Sequence, residues 1–271
     1  MSDRPPFLYR SGTARVDQPY RHGPLSFRVL ADADPRTDAS APVFVLVHGI
    51  GMSHRYLSRL HAALAATGPT FSIDMPGYAG LPKPKADVDV PTMARGLAGA
   101  IASLDVGPVV LVGHSMGAQW ATAVAVQRPE LVDRLVLIAP VADAARRSLP
   151  AQAVGLARDS LGESPRANAI IVTDYLRCGM PWYLAQTRHL LDYAIEEDVA
   201  RLTMPTLIIR GVRDPISGAE WCARLHDDAP MGTLAQIPGH RHVVQYSAPH
   251  AVESAILSFA IVPEPTSGSA A

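Results

Sequence analysis

The sequence predicts an α/β protein: a mostly parallel central sheet flanked by helices, with a helical lid inserted late in the chain. Three observations lead there. From about Val43 onward, short apolar runs alternate with stretches of helical periodicity, the pattern of βαβ units whose sheet is covered on both faces. One of those runs leads directly into Gly-x-Ser-x-Gly and then a helix, and the alternation halts between Val141 and Thr203.

The spacing gives strands over Leu25–Ala31, Val43–His48, Thr70–Asp74, Val109–Val112, Leu135–Ile138, Thr206–Arg210 and Thr233–Ile237. Helices fall between them at Ser53–Thr67, where Leu57, Leu60 and Leu64 share a face, and at Pro91–Leu104, Ser115–Gln127, Gly218–His226 and Pro249–Phe259. Pro35–Pro42 reads as a loop. The beginning carries Pro5, Pro6, Gly12 and Pro19 without a period, so residues 1–22 are expected to be irregular. The α/β core then occupies 23–140 and 204–261, the lid 141–203, and the Pro-, Ser-, Gly- and Ala-rich end 262–271 is expected to be disordered.

Composition excludes several classes of function. The 271 residues are 48% apolar, enough for a sizeable core, and Lys+Arg 24 against Asp+Glu 25 leaves no positive surplus for nucleic-acid phosphates or an anionic membrane. The N-terminus has no apolar run behind a basic start, and no stretch reaches the roughly 20 apolar residues that span a bilayer. The expectation is a cytoplasmic protein acting on a small molecule, with oligomeric state left open. Cys178 and Cys222 lack both a disulfide framework and zinc-ligand spacing, so they read as packed thiols, and no metal or organic cofactor is expected.

The chemistry centres on Val109-Val110-Leu111-Val112-Gly113-His114-Ser115-Met116-Gly117. A strand that turns into a helix within so few residues leaves no room for Cβ atoms two positions either side of the serine, which is why glycine stands at 113 and 117. Ser115 is thereby lifted to the end of the sheet as a nucleophile. A serine hydroxyl needs an adjacent base, itself oriented by an acid, and on such a fold the order along the chain is serine, acid, histidine. Asp214 follows the strand Thr206–Arg210 at its C-terminal end; Asp143, after the preceding strand, competes with it. His240 and His242 both follow the last strand, and residues two apart in an extended loop point the same way, so spacing leaves both open.

The span from about Val43 to Phe259 resembles the α/β-hydrolase family, in particular its lidded bacterial esterase-like members. The resemblance implies a histidine in a Pro-Gly-x-x-His loop, seven residues before a Pro that opens the final helix; Pro238-Gly239 and Pro249 place His242 there, although Arg241 stands where the family often has glycine. It also implies an oxyanion hole made of two backbone N–H groups. Met116, just after the nucleophile, supplies one, and Val47-His48-Gly49-Ile50-Gly51-Met52 resembles the family's His-Gly-x loop, which gives Ile50 the other, with Gly51 close behind. Asp74-Met75-Pro76-Gly77-Tyr78-Ala79-Gly80 resembles the family's Asp-x-Pro-Gly-x-Gly segment, where Asp74 is structural.

Gly51 and Met52 in that loop, with Met180, Trp182 and Tyr183 in the lid, are candidate substrate contacts. Between Val141 and Ala200 six arginines face eight acids, which does not suit a phosphate-rich substrate such as a coenzyme A thioester. The reading is a serine hydrolase that cleaves an ester, lactone or thioester with a largely apolar group through an acyl-enzyme. Ser115 rather than Asp at the nucleophile position argues against haloalkane dehalogenases and epoxide hydrolases. Carbon–carbon bond hydrolysis, cofactor-free perhydrolysis, a biosynthetic thioesterase, and a ligand-binding protein with a vestigial triad stand as alternatives.

Overall fold

A computed structural model describes residues 16–31 and 41–261. Its eight-stranded sheet has the order β1 (Val16–His22), β2 (Leu25–Ala31), β4 (Thr70–Asp74), β3 (Phe44–Val47), β5 (Val109–His114), β6 (Val132–Ile138), β7 (Thr206–Gly211) and β8 (Gly232–Ile237). The pairs β1–β2 and β2–β4 are antiparallel, and every pair from β4 to β8 is parallel.

Parallel strands buried on both faces read as continuous apolar runs, and successive side chains still divide between the two sides. Val45, Val47, Leu111 and Leu137 join one core cluster, while Phe44, Leu46, Val110 and Val136 join the other. The first face is covered by α2 (Val90–Ala102), α3 (Met116–Gln127) and α8 (Ala219–Asp228), the second by α1 (Ser58–Leu64) and α10 (Pro249–Ala260). A single turn of 3-10 helix, His54–Leu57, precedes α1 and carries the first part of the helix expected from Ser53. Helix α3 is buried almost all round because Ala118, Ala121, Ala123 and Ala125 let the sheet and its neighbours approach closely.

The topology also places the site. From β3 the chain crosses through α1 to β4, then returns through α2 on the opposite face to β5 on the other side of β3. Helices that leave β3 and β5 toward opposite faces open a crevice at the C-terminal ends of those strands.

The N-terminal expectation needs correction. Residues 16–22, read as irregular, form the edge strand β1, paired with β2 in continuous register from Val16↔Ala31 to His22↔Leu25. Pro19 and the charges of Val-Asp-Gln-Pro-Tyr-Arg-His hide it, because an edge strand tolerates proline and needs little apolar content. What holds it is backbone pairing plus Tyr20, whose ring lies 6.1 Å from that of Phe27. Residues 1–15, most of the loop at 35–42, and the tail 262–271 lie outside the described residues.

Between β6 and β7 stand four helices: α4 (Leu149–Ser160), α5 (Pro165–Cys178), α6 (Met180–Asp192) and α7 (Ile195–Val199). Ser164 caps α5 by accepting from Ala167 N at 3.2 Å, with Pro165 in the first turn. A buried carboxylate ties this insertion to the core. Asp174 on α5 accepts from Ser53 Oγ at 2.5 Å and from Arg55 Nη1 at 2.9 Å, both on the turn that follows β3. Asp174→Ala removes that tie and leaves the exposed part of Arg55 to water; limited proteolysis should then cut within residues 149–199 several-fold faster than in wild type, and equal rates would show that apolar packing alone holds α5.

Candidate active site

The turn from β5 into α3 sets the position of everything else. Ser115 sits at φ 57°, ψ −123°, a backbone conformation that an L residue holds only when its surroundings over-determine it. Those surroundings are backbone. A Cβ on Gly117 would stand 2.5 Å from the Val47 carbonyl oxygen, and one on Gly113 would overlap the Gly117 carbonyl. Ser115 N–H donates to the Ile138 carbonyl at 2.9 Å, which fixes the turn to β6.

His242, in the loop between β8 and α9 (Val244–Ser247), places Nε2 3.2 Å from Ser115 Oγ. Its Nδ1 lies 2.9 Å from Asp214 Oδ2. The other carboxylate oxygen of Asp214 accepts from the backbone N–H groups of Ile216 at 2.7 Å and Ser217 at 2.9 Å. All three side chains are buried. Burial raises the affinity of Asp214 for a proton, but His242 and those two amides outweigh it and hold the carboxyl below its ordinary range. Burial alone would lower His242; Asp214, with Asp159 and Glu163 adding to it, more than compensates, so its pKa stands above the usual value.

The competing residues lie elsewhere. His240 Nδ1 bonds Ser247 Oγ at 2.9 Å, and Asp143 caps the following short turn through Ala145 N and pairs with Arg224. Asp74 accepts from His54 N at 2.7 Å and contacts His54 Nδ1 at 2.8 Å, fastening the end of β4 to the loop after β3.

That loop is itself braced to the nucleophile turn. Gly49 N–H donates to Tyr56 Oη at 2.6 Å, and Tyr56 Oη lies 2.7 Å from His114 Nδ1. His114 Nε2 is 2.9 Å from the His242 carbonyl oxygen, which can only accept. The proton of His114 therefore resides on Nε2, Nδ1 accepts, and the Tyr56 hydroxyl donates to it. Burial, reinforced by the neighbouring His242, holds the His114 pKa down to about 3, so it stays neutral and the chain of bonds keeps its direction. Of the loop amides, Gly49 is taken by Tyr56 and Met52 bonds the Gly49 carbonyl at 3.2 Å. Those of Ile50 and Gly51 have no backbone partner among the described residues. Met116 opens α3, where an N–H has no intrahelical acceptor.

Two pockets flank Ser115 and His242, and Leu156 of α4 lines both. The first, with about 510 Å3 of open space, is walled by Met52, Tyr56, Asp159, Ile171 and Tyr175 among others; the second by Val141, Gln152, Tyr183, Thr187 and Leu190. Ile50 lines both and Gly51 neither. The lid candidates divide. Met52 and Tyr183 face the pockets, but Met180 is 62% exposed at the start of α6, and Trp182 turns its indole onto Gly77 and Tyr78, so both are corrected from substrate contacts to outer-surface and packing residues. Gly51 instead leaves room for the Tyr175 ring.

Several residues escaped the sequence reading. Tyr56 reads there as one more apolar position on a helix. Asp159, 4% exposed, sits in a segment without periodic or motif signal, yet its Oδ1 accepts from His242 N at 3.1 Å. Arg241, the departure from the family's loop, sends Nη1 to the Arg158 carbonyl at 3.2 Å and lies over Gly162, joining the histidine loop to the end of α4.

A family model described as the alpha/beta hydrolase family matches residues 44–255. The chain belongs to that family. Among relatives of this family member, an uncharacterized protein of Mycobacterium bovis is 38% identical over 103 residues, which is 38% of the chain and only 30% of that protein's length. The (E)-2-((N-methylformamido)methylene)succinate hydrolase of Acinetobacter baylyi is 28% identical over 230 residues, covering 78% of this chain and 88% of its own. The crystal structure of E-2-(acetamidomethylene)succinate hydrolase superposes with a TM-score of 0.75 at 23% identity, over 92% of this chain and 100% of the other, a likeness of fold. Among the described residues, no helix is long and apolar enough to cross a membrane.

The Tyr56 bridge is testable without a substrate. Tyr56→Phe leaves the Gly49 N–H and His114 Nδ1 buried without a partner, and should lower stability by about 1–3 kcal/mol in a denaturant titration; an unchanged midpoint would show that the bridge contributes nothing.

Proposed function

We propose that this hydrolase cleaves carboxylic esters, lactones or thioesters through an acyl-enzyme on Ser115. The observation that carries the reading is the continuous hydrogen-bonded line from Ser115 Oγ through His242 to Asp214. In this scheme His242 Nε2 accepts the Ser115 proton as Oγ attacks the substrate carbonyl carbon, and Asp214 holds Nδ1–H in place and stabilises the imidazolium. The carbonyl oxygen, now negative, is met by the N–H groups of Met116 and Ile50, the latter favoured over Gly51 because it lines both pockets beside Ser115. The imidazolium returns its proton to the departing alkoxide or thiolate. Water, deprotonated by the same nitrogen, then releases the acid and regenerates Ser115. The insertion acts as a lid, since α4 walls both pockets, α5 the first and α6 the second, and their largely apolar surfaces suit an apolar acyl or alcohol group.

A fluorophosphonate probe should label the wild type and leave Ser115→Ala unlabelled. On p-nitrophenyl esters, His242→Ala and Asp214→Asn should each lose about three to four orders of magnitude in kcat, while His240→Ala keeps most activity. Labelling of Ser115→Ala, or survival of His242→Ala, would sink the assignment.

The pH profile supplies a separate check. The base must be neutral to accept a proton, so kcat/KM rises with pH through the His242 pKa of the free enzyme, and the raised value moves this limb to higher pH. The acid limb should have its midpoint above about 6.5, the ordinary histidine value; a midpoint well below that would contradict the Asp214–His242 pairing.

A further inference from the structure

Asp159 is out of place in an apolar pocket. It reaches in from the last turn of α4 and lines the same pocket as Ser115 and His242, at 4% exposure. Its Oδ1 takes the His242 amide N–H, and Oδ2 has no hydrogen-bond partner among the described residues. A buried carboxylate with most of its acceptor capacity unused is costly: burial pushes the Asp159 pKa up, and a donor or an opposite charge offsets that cost and keeps the carboxylate ionised. Beyond the His242 amide on Oδ1 and the His242 imidazole, which is a cation only when protonated, the pocket walls supply neither to Oδ2. No Lys or Arg lines either pocket, and Arg241, whose charge acts on Asp159, has its own guanidinium at the Arg158 carbonyl and lines neither. Glu163 adds a second carboxylate close to Asp159 rather than a counter-charge. The missing donor is thus left to what enters the pocket.

We propose that Asp159 determines specificity: the pocket beside Ser115 takes a substrate group that carries an ammonium, and it turns away one that carries a carboxylate. The inference rests on the acyl-enzyme reading of Ser115 and narrows it to a substrate class. It also separates this chain from the Acinetobacter baylyi relative, whose named substrate is a succinate. A substrate carboxylate placed here would meet Asp159 at close range in a poorly solvated space, with no Lys or Arg among the described lining residues to balance it.

Three p-nitrophenyl esters of matched length test this: 6-aminohexanoate, the neutral hexanoate, and the half-ester of adipate. Wild type should favour the amino ester over the carboxylate ester in kcat/KM by roughly tenfold or more, the scale of one charge-assisted hydrogen bond. Asp159→Asn keeps an oxygen for the His242 amide and should collapse that ratio to near one. If Asp159→Asn slows all three esters alike, the residue only positions the histidine loop and the proposal fails; it fails equally if wild type does not discriminate. Calorimetry on Ser115→Ala reads the pocket without turnover: hexylammonium should bind more tightly than hexanol, and hexanoate least. The reverse order, or no preference, overturns the specificity even if the esters are cleaved. Esterase activity that survives Ser115→Ala would instead overturn the acyl-enzyme reading and leave the binding result to judge Asp159.

Discussion

The structure hangs on the close passage of α3 beneath the end of β3. Only because residue 117 is glycine can the backbone of the helix's first turn stand against the Val47 and His48 carbonyls, and only that approach holds Ser115 at its positive φ. Moving α3 outward by the width of a methyl group would carry the serine away from His242. It would also open the gap between Met116 and the Ile50 loop. The strain at one residue is therefore distributed over contacts of β3, β5, β6 and α3, the most deeply buried part of the sheet.

Two polar systems then align the loops on that turn. Tyr56 and His114 join Gly49 to the His242 carbonyl, with a direction fixed because His114 remains neutral. From above, Asp159 and Arg241 join the end of α4 to the backbone of the same histidine loop. The histidine is thus held at its ring by Asp214, at its carbonyl by His114 and at its amide by the helical insertion. Loops with so many fixed points give a pre-organised site, and helices that wall the pocket are mechanically connected to the base they cover.

Much of this was legible in the chain. The strands β2 to β8 and the core helices follow from apolar runs and periodicity, since a sheet buried on both faces leaves little freedom in residue type. The serine turn is legible because its geometry permits only glycine at two spacings. Where the crowding is between residues a few positions apart, as for Gly113 against Gly117, sequence is sufficient. The edge strand β1 was not legible, because backbone pairing to β2 holds it and such pairing leaves almost no trace in side-chain pattern.

By itself, then, the sequence determined the α/β architecture and the tight Gly-x-Ser-x-Gly turn, both of which are recorded in residue types over short segments. The tertiary structure alone placed His242 rather than His240 against Ser115, since residues two apart in a loop differ only in what the rest of the chain puts beside them. It alone turned Met180 outward and Trp182 onto Gly77, and brought Asp159, 83 positions away, to the amide of His242. Helix faces in an insertion without repeats are chosen by packing, and the charge that faces a substrate is decided by which of those faces closes over the serine.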